Sequence, residues 1–242
     1  EANNCDSEMV ITGISCDLEG SVKMGGFHKH SPAAFLEAGI QEHHAASMAG
    51  GLASLGLVTF FSTFGVFAVS EVFTQNRLND FKHASVKVVA THVGLDVGED
   101  GPTHQCIDYL GLFRNYFRSS VFMPADPNQP DRIIRYVATT PGNVFVGMGR
   151  SKMAMVCKED GSLLCDKDYA CQAGKGDWLR KGDDAAIISY GAVTPMVMEA
   201  WEILKDAGHS VSVLNMASLL PIDKKAVLQA AACGVVLTVE DH

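Results

Sequence analysis

Short apolar runs alternate with segments of helical spacing along the chain, and this alternation constrains the fold more than any other feature. The runs at 9–15, 57–61, 86–91 and 144–148 lack the strict period-two pattern of strands that have one face in water. Between them, segments such as 41–55 and 66–81 are predicted to be helical. The sequence therefore predicts an α/β fold, with a parallel sheet flanked by helices.

The second half of the chain changes character and then resumes the same alternation. Residues 153–181 mix Lys, Asp, Gly and Cys with little periodicity, which is typical of a linker. Strand and helix patterns return from 185 onward, in the order of half a doubly wound domain. We therefore predict a first domain at 1–152, a linker at 153–181 and a partial second α/β domain at 182–242. The abrupt ends indicate a piece of a longer protein.

Charge and cysteine content narrow the classes of function. The formal net charge is −9, and a surface this acidic repels phosphate backbones, which argues against nucleic-acid binding. The seven cysteines have irregular spacing and include no C-x-x-C pair, which is typical of reduced thiols in a cytoplasmic protein. The sequence does not begin with a basic segment followed by an apolar one, which is the pattern of a secretory signal peptide.

Residues 45–70 contain no charged side chain, and that length is enough to span a membrane. However, four glycines interrupt the stretch, and its composition changes from small residues to Val and Phe. A buried helix, turn and strand is therefore the favoured interpretation, and a membrane span is the alternative.

Polar side chains follow the predicted strands at the points where each strand ends. In open parallel sheets, ligands bind beyond these carboxyl ends, so we expect one rim of the sheet to collect the unusual residues. They are Asp17 and Ser21 after the strand at 9–15, Glu42 after a weaker strand candidate at 34–36, Ser62, Thr63 and Phe64 after the strand at 57–61, His92, Asp100 and His104 after the strand at 86–91, and Arg150 after the strand at 144–148.

The segment GEDGPTHQ at 98–105 is the sharpest motif of this rim, although by composition alone it would pass for a capped surface turn. It resembles the signature loop of transketolases. Three more segments resemble the same family in order and spacing: CDLEGS at 16–21, EAGIQEHHAASMAGGLA at 37–53 and STFGVF at 62–67. Four ordered motifs are specific where any one alone would be weak.

The resemblance implies a thiamine-diphosphate enzyme and gives the cofactor-facing residues their roles. Glu42 matches the catalytic glutamate that contacts N1′ of the aminopyrimidine and favours its imino form. Phe64 and Phe67 match the aromatic residues that pack on the pyrimidine, and Asp17 matches a residue near the thiazolium ring. Ser70 departs from the family, which often has a tyrosine there, so the outer wall of the pocket is expected to differ.

The resemblance also implies substrate contacts. His104 matches the histidine beside the reacting carbon, a candidate for proton transfer, and Asp100 matches the aspartate that binds a sugar hydroxyl. Ser21, His92 and Arg150 match the residues that hold the sugar phosphate, and a guanidinium with hydroxyl and imidazole donors is chemically suited to that task. Taken alone, His92 could be a structural histidine and Arg150 a surface cation.

In transketolases a separate domain holds the cofactor's diphosphate through Mg²⁺, by a Gly-Asp-Gly…Asn motif. This sequence has no such motif; the nearest fragment is Gly176-Asp177-Trp178. The resemblance therefore implies that thiamine diphosphate and Mg²⁺ are completed by a missing domain or a separate diphosphate-binding subunit, and that the site forms in a dimer. The implied reaction moves a two-carbon ketol unit between sugar phosphates, as in the pentose phosphate reactions.

Other interpretations remain open at this point. Deoxyxylulose-phosphate synthase and the β subunit of 2-oxo-acid dehydrogenases share the glutamate chemistry, and a structural subunit of the same fold would need none. The pairs His28/His30 and His43/His44 suggest a metal, but no further ligands stand at typical spacing. We interpret these histidines as solvated or supporting residues, and metal ligands are predicted nowhere in the chain.

Overall fold

The computed structural model describes residues 10–242, which form two compact units. The first unit contains the described residues up to 120 together with 137–150 and His242; the second contains 121–136 and 151–241. The beginning of the first predicted strand, at Met9, lies outside the described residues, as does Cys5.

The strands and helices are as follows. The strands are β1 Ile11–Ser15, β2 Phe35–Glu37, β3 Val58–Phe64, β4 Val86–Thr91, β5 Ser119–Phe122, β6 Asn143–Gly147, β7 Asp177–Arg180, β8 Ala185–Ser189, β9 Val211–Asn215, β10 Ser218–Leu220 and β11 Val236–Val239. The helices are α1 Gly25–His30, α2 Glu42–Ser54, α3 Phe73–Phe81, α4 Tyr109–Phe113, α5 Gln129–Thr139, α6 Thr194–Asp206 and α7 Lys224–Ala231.

The first unit is built on a parallel sheet in which β2, β1, β3, β4 and β6 lie side by side in that order. Every residue of β4 and β6 is buried, as expected for strands covered on both faces. The strand order makes the ends of β3, β4 and β6 neighbours. The residues that follow these strands can therefore share one rim.

The second unit contains a four-stranded sheet in the order β11-β8-β9-β7, with β7 antiparallel and the other strands parallel. Its core packs Trp201 of α6 against apolar residues that include Leu179 and Val213. The Trp201 indole donates a hydrogen bond to the backbone oxygen of Val211. Strand β10 pairs antiparallel with Val121 and Phe122 of β5. The predicted α/β class, a helix-flanked parallel sheet followed by a second α/β unit, is confirmed.

Two segments near the rim differ from the prediction. Strand β3 continues to Phe64, so Ser62, Thr63 and Phe64 are its last residues and do not follow it. All three residues are buried, although two of them are polar. The predicted helix at 66–81 is divided into a π-helical turn, Phe67–Glu71, and α3.

Differences elsewhere have local causes. The segment after the GEDGPTHQ motif forms only the short helix α4. Helix α5 begins at Gln129, because the Asp126 carboxylate accepts from Asn128 N in a preceding turn (2.7 Å) and Gln129 Oε1 accepts from Ala125 N (2.8 Å). The predicted linker contains β7. No strand was predicted at 218–220, where the structure has β10.

The uncharged stretch at 45–70 is divided between α2, β3 and the π-helical turn. Among residues 10–242, no helix combines the length and apolarity required to cross a membrane. The favoured prediction for this stretch, a buried helix, turn and strand, is confirmed.

Candidate functional site

Glu42 is the first residue of α2, which begins after the turn that follows β2. Only 5% of Glu42 is exposed, and its Oε1 accepts a hydrogen bond of 3.1 Å from the hydroxyl of Thr63 at the end of β3. Burial, and secondly the Glu42 carboxylate, raise the pKa of the Cys16 thiol to about 12, so Cys16 stays a thiol. The hydrogen bond from Thr63 holds the buried Glu42 carboxylate in one orientation.

Glu42 lines a cavity of about 240 Å³. Its other walls come from the turn before α2, the first turn of α2 and the π-helical turn: Ile40, Gln41, His43, Phe67 and Glu71. His43 Nδ1 lies 3.6 Å from Glu71 Oε1, and both side chains are partly exposed. The cavity thus combines one buried carboxylate with an aromatic wall and a polar mouth.

Four rings lie together beyond the carboxyl ends of β3 and β4. The Phe64 ring centroid lies 6.2 Å from that of Phe67, with nearly parallel planes, and 3.9 Å from that of His92. His104 meets both phenylalanines edge-on, at 6.0 Å from Phe64 and 5.3 Å from Phe67. The two predicted cofactor-facing rings and the two predicted substrate histidines therefore form one aromatic cluster.

His92 is held from two sides in the left-handed backbone region, at φ +59°. Its Nδ1 lies 2.9 Å from Thr91 Oγ1, and its Nε2 lies 3.7 Å from Asp100 Oδ2. Burial lowers the pKa of His92 more than the nearby Asp100 carboxylate raises it. The imidazole is therefore mainly neutral near pH 7, although a carboxylate faces it.

Gly65, just after β3, lets the chain pass close to the loop that follows β4. A Cβ on Gly65 would lie 2.8 Å from Val93 Cγ2 and 3.1 Å from the His92 oxygen. A larger residue would separate the Phe64 segment from His92, because these neighbours are backbone and a short branched side chain. His104 is oriented by Thr103, whose Oγ1 lies 2.9 Å from His104 Nδ1.

Arg150 follows β6 and reaches the loop at 96–100. Nη1 donates to Glu99 Oε2 at 2.7 Å and to the Val97 oxygen at 3.2 Å, and Nη2 donates to Glu99 Oε1. The Nε atom lies 3.9 Å from Asp100 Oδ2. The hydrogen bonds from Arg150 lower the pKa of Glu99 to about 2. In this structure the predicted phosphate-binding guanidinium is engaged by carboxylates.

Asp17 and Ser21 lie in the loop after β1 and are both exposed. Asp17 has φ +58°, and its backbone N donates to Glu37 Oε1 at 2.6 Å. The same oxygen accepts from Gly39 N at 2.9 Å, so Glu37 ties this loop to the turn that leads to Glu42. The contacts described above, among the rings and around Arg150, do not extend to Asp17 or Ser21.

Glu37, which organises the two loops, and Glu99, which binds Arg150, were not among the predicted residues of the site. Thr63 was predicted to lie on the rim, but not to hold Glu42. All three stand inside segments that resemble the family. The sequence signal that could have indicated these three residues was a hydroxyl or carboxylate side chain close in sequence to a predicted site residue. Their partners, however, lie 20 to 51 positions away in sequence.

The histidine pairs have other neighbours. His28 Nδ1 lies 3.0 Å from Glu19 Oε2, and its ring stacks on Phe35 at 4.2 Å. Within the described part of the chain, no group of three or more His, Cys, Asp or Glu side chains is arranged to hold a metal ion. The residues present therefore do not fit a Mg²⁺ site.

Comparison with known proteins gives transketolase matches along almost the whole chain. The family described as "Transketolase, pyrimidine binding domain" matches residues 5–155, and "Transketolase, C-terminal domain" matches residues 174–242. A protein of Methanocaldococcus jannaschii named "Putative transketolase C-terminal section" is 34% identical over 95% of this chain and 70% of its own length. One of the subunits of the apulose-4-phosphate transketolase of Phocaeicola vulgatus is 29% identical over 96% of this chain and 73% of its own length.

A solved structure described as "Split gene transketolase, inactive beta4 tetramer" has the same fold. It superposes with a TM-score of 0.84 at 34% identity, over 96% of this chain and 74% of that one. Two family matches that together cover most of the sequence, and relatives of similar extent, agree with the four motifs and with the geometry of the rim. The chain belongs to the transketolase family.

Proposed function

We propose that this chain supplies the pyrimidine side of a thiamine-diphosphate site that transfers a two-carbon ketol unit between sugar phosphates. One observation carries the proposal: a buried carboxylate, an aromatic wall, two histidines and an arginine lie along the carboxyl ends of neighbouring parallel strands. Family membership supports a transketolase-type activity, and the relative named as a subunit of an apulose-4-phosphate transketolase supports sugar phosphates as the substrates.

The cavity at Glu42 fits an aminopyrimidine. A flat ring could pack against Phe67 while a ring nitrogen meets the Glu42 carboxylate, whose orientation Thr63 fixes. Thiamine diphosphate, when bound, supplies the nucleophilic thiazolium carbon. Glu42 would hold a proton at the pyrimidine nitrogen, and the buried setting would prevent water from taking over that role.

The other residues of the rim would act on the sugar. His104 is oriented through Nδ1, so Nε2 is the atom that would hold or move a proton near the reacting carbon. Neutral His92 would donate or accept one hydrogen bond, Asp100 would accept from a hydroxyl, and Arg150 would bind the phosphate. Asp17 and Ser21 would be brought into the site by the loop after β1.

The site needs a second component. Because the described residues do not fit Mg²⁺, we propose that Mg²⁺ and the diphosphate are bound by a diphosphate-binding domain on another subunit, within a dimer or larger assembly. Relatives whose names describe a "C-terminal section" and one of several subunits support a separate chain. We also propose a cytoplasmic location, because the six cysteines of the described range are free thiols.

The first test is reconstitution with a candidate diphosphate-binding chain, thiamine diphosphate and Mg²⁺. We expect ketol transfer from xylulose 5-phosphate, and no condensation of pyruvate with glyceraldehyde 3-phosphate. Glu42→Gln should reduce kcat by roughly 100-fold or more, the usual size of a proton-transfer contribution. Glu202→Gln, an exposed substitution in α6, is the matched control.

Two results would reject the proposal. Activity on pyruvate alone would assign the chain to the synthase or dehydrogenase group. Full activity of Glu42→Gln or Glu42→Ala would indicate a structural subunit. In calorimetry, we expect the isolated chain to bind thiamine diphosphate and Mg²⁺ weakly or not at all, and tight binding would contradict the need for a second component.

A further inference from the structure

The guanidinium of Arg150 already donates hydrogen bonds within the chain. Both of its terminal nitrogens donate to the two carboxylate oxygens of Glu99, and one of them also donates to the Val97 oxygen. A carboxylate that engages a guanidinium by two parallel hydrogen bonds uses the same donor pair that a phosphate would use. A phosphorylated ligand can therefore take the terminal nitrogens of Arg150 only if Glu99 leaves them.

The charges around Arg150 favour its pairing with Glu99. Besides Glu99, the carboxylates of Asp100 and Asp96 stabilise the positive charge of Arg150. His92 adds no cation, because burial keeps its pKa below the ordinary value. Three carboxylates thus surround one cation, and a dianion that approaches meets a locally negative surface.

The loop geometry fixes Glu99 opposite Arg150. Residues Gly98–Asp100 form a 3-10 turn between two glycines with positive φ, Gly98 at +60° and Gly101 at +70°. A Cβ on Gly98 would lie 2.2 Å from Arg150 Nη1, so the guanidinium lies directly against the glycine backbone. The Glu99 side chain, by contrast, is 77% exposed and can move into water without unpacking any core.

We infer that Glu99 is a specificity-determining residue: its carboxylate competes with the substrate's phosphate for Arg150 and so sets the KM for phosphorylated sugars. This inference rests on the proposed function. The displaced carboxylate becomes hydrated, and the phosphate takes over both hydrogen bonds. Substrates without a phosphate do not need the exchange, so Glu99 selectively weakens the binding of phosphorylated ones.

The test uses the reconstituted enzyme with Glu99→Gln. We expect the KM for xylulose 5-phosphate to fall roughly two- to fivefold, a factor within the range measured for exposed ion pairs, with kcat unchanged. The KM for L-erythrulose, a ketose that lacks phosphate, should not change. Glu99→Ala, which removes the competing group entirely, should lower the KM at least as much, and added salt should reduce the difference.

Asp96→Asn is the matched control, because it removes one negative charge from the same loop. Its influence on Arg150 is smaller than those of Glu99 and Asp100, so its KM should change less than that of Glu99→Gln. An equal change would mean that general charge alone sets the KM. An unchanged or higher KM in Glu99→Gln would overturn the inference, and a higher value would show that Glu99 orients Arg150 for the phosphate.

A second measurement does not depend on catalysis. Inorganic phosphate can be titrated into the full chain while the Arg150 side-chain NMR signal is followed, and Glu99→Gln should tighten binding by the same two- to fivefold. Tighter binding without any ketol transfer would refute the proposed function and leave the competition intact. Transfer activity with identical phosphate affinities would refute the competition and leave the proposed function intact.

Discussion

Lys87 is a buried cation at the amino end of β4, far along the strand from the rim, and its replacement by Met should change how stability depends on pH. It is 1% exposed, and its Nζ donates to Ser85 Oγ (3.0 Å) and to the Thr140 and Gly142 oxygens (2.6 Å each). None of these partners is a carboxylate. Burial lowers the pKa of Lys87 from 10.5 to about 8.

The size of the effect follows from this shift. Between pH 8 and 10.5 the unfolded chain keeps the Lys87 proton while the folded chain has lost it, so the free energy of unfolding rises with pH. The shift corresponds to roughly 3 kcal/mol across that window. Below pH 8 both states are protonated and the cost of the buried charge is fully present. Lys87→Met removes this slope, because it has no proton to lose.

The assay is urea unfolding at pH 7 to 10.5. The wild-type free energy of unfolding, minus that of Lys87→Met, should increase by roughly 3 kcal/mol from the lowest to the highest pH. Lys82→Met, at an exposed lysine just after α3, is the control and should leave the wild-type slope unchanged. If Lys87→Met shows the same slope as wild type, the buried lysine does not titrate in this window and the reasoning is wrong.

Two further substitutions test single hydrogen bonds. Thr63→Val should cost roughly 1–3 kcal/mol of stability, the typical cost of an unpaired buried acceptor, and should lower kcat of the reconstituted enzyme about tenfold through a misoriented Glu42; an unchanged kcat would show that Thr63 does not position Glu42. Asp177 is partly buried and accepts a hydrogen bond of 2.9 Å from the Tyr169 hydroxyl, and this burial raises its pKa above the usual 3.8. The folded state therefore keeps the Asp177 proton longer than the unfolded state, and wild-type stability relative to Asp177→Asn should fall as pH rises above 4; thermal unfolding from pH 4 to 8 would contradict this if the difference were constant.

The elements that the sequence predicted well are those in which local pattern and burial agree. The bounds of β4 are as predicted, and α2 lies within one residue of its prediction at each end. Strand β4 is largely apolar, and α2 is followed by Gly56 at φ +91°, a strong local stop signal. Periodicity and end signals are sufficient where no distant contact competes with them.

Elements that depend on distant contacts were predicted less well. Strand β3 extends to Phe64 because its last three residues pair with Val89, Ala90 and Thr91 of β4, and the Thr63 hydroxyl also donates to Glu42, 21 positions earlier. The helix after β3 becomes a π-helical turn at Phe67–Glu71, where the Ser70 hydroxyl donates to Asp108, 38 positions later. A π-turn inside a helical pattern shifts which face each side chain takes. The orientation of Phe67 at the cavity therefore could not be derived from a helical repeat.

In the candidate site, too, the residues were easier to predict than their contacts. The resemblance indicated which residues would line the rim, and the strand order explains why residues after β3, β4 and β6 meet. The resemblance did not indicate their pairing: the Asp100 carboxylate lies between His92 Nε2 and Arg150 Nε, whereas its neighbour Glu99 forms hydrogen bonds with the terminal nitrogens of Arg150. Adjacent carboxylates acquire different partners through the positive φ of Gly98 and Gly101, which composition alone did not specify.

Strand β4 has a buried basic residue near each end, and the two residues have different roles. Lys87 near its amino end and His92 just after its carboxyl end are both buried groups whose pKa burial lowers. Lys87 bonds only to a hydroxyl and to backbone oxygens, whereas His92 meets an aromatic ring and a carboxylate of the rim. The same physical cause therefore yields a structural residue at one end and a candidate substrate-binding residue at the other, and the partners, not the pKa shift, distinguish the two.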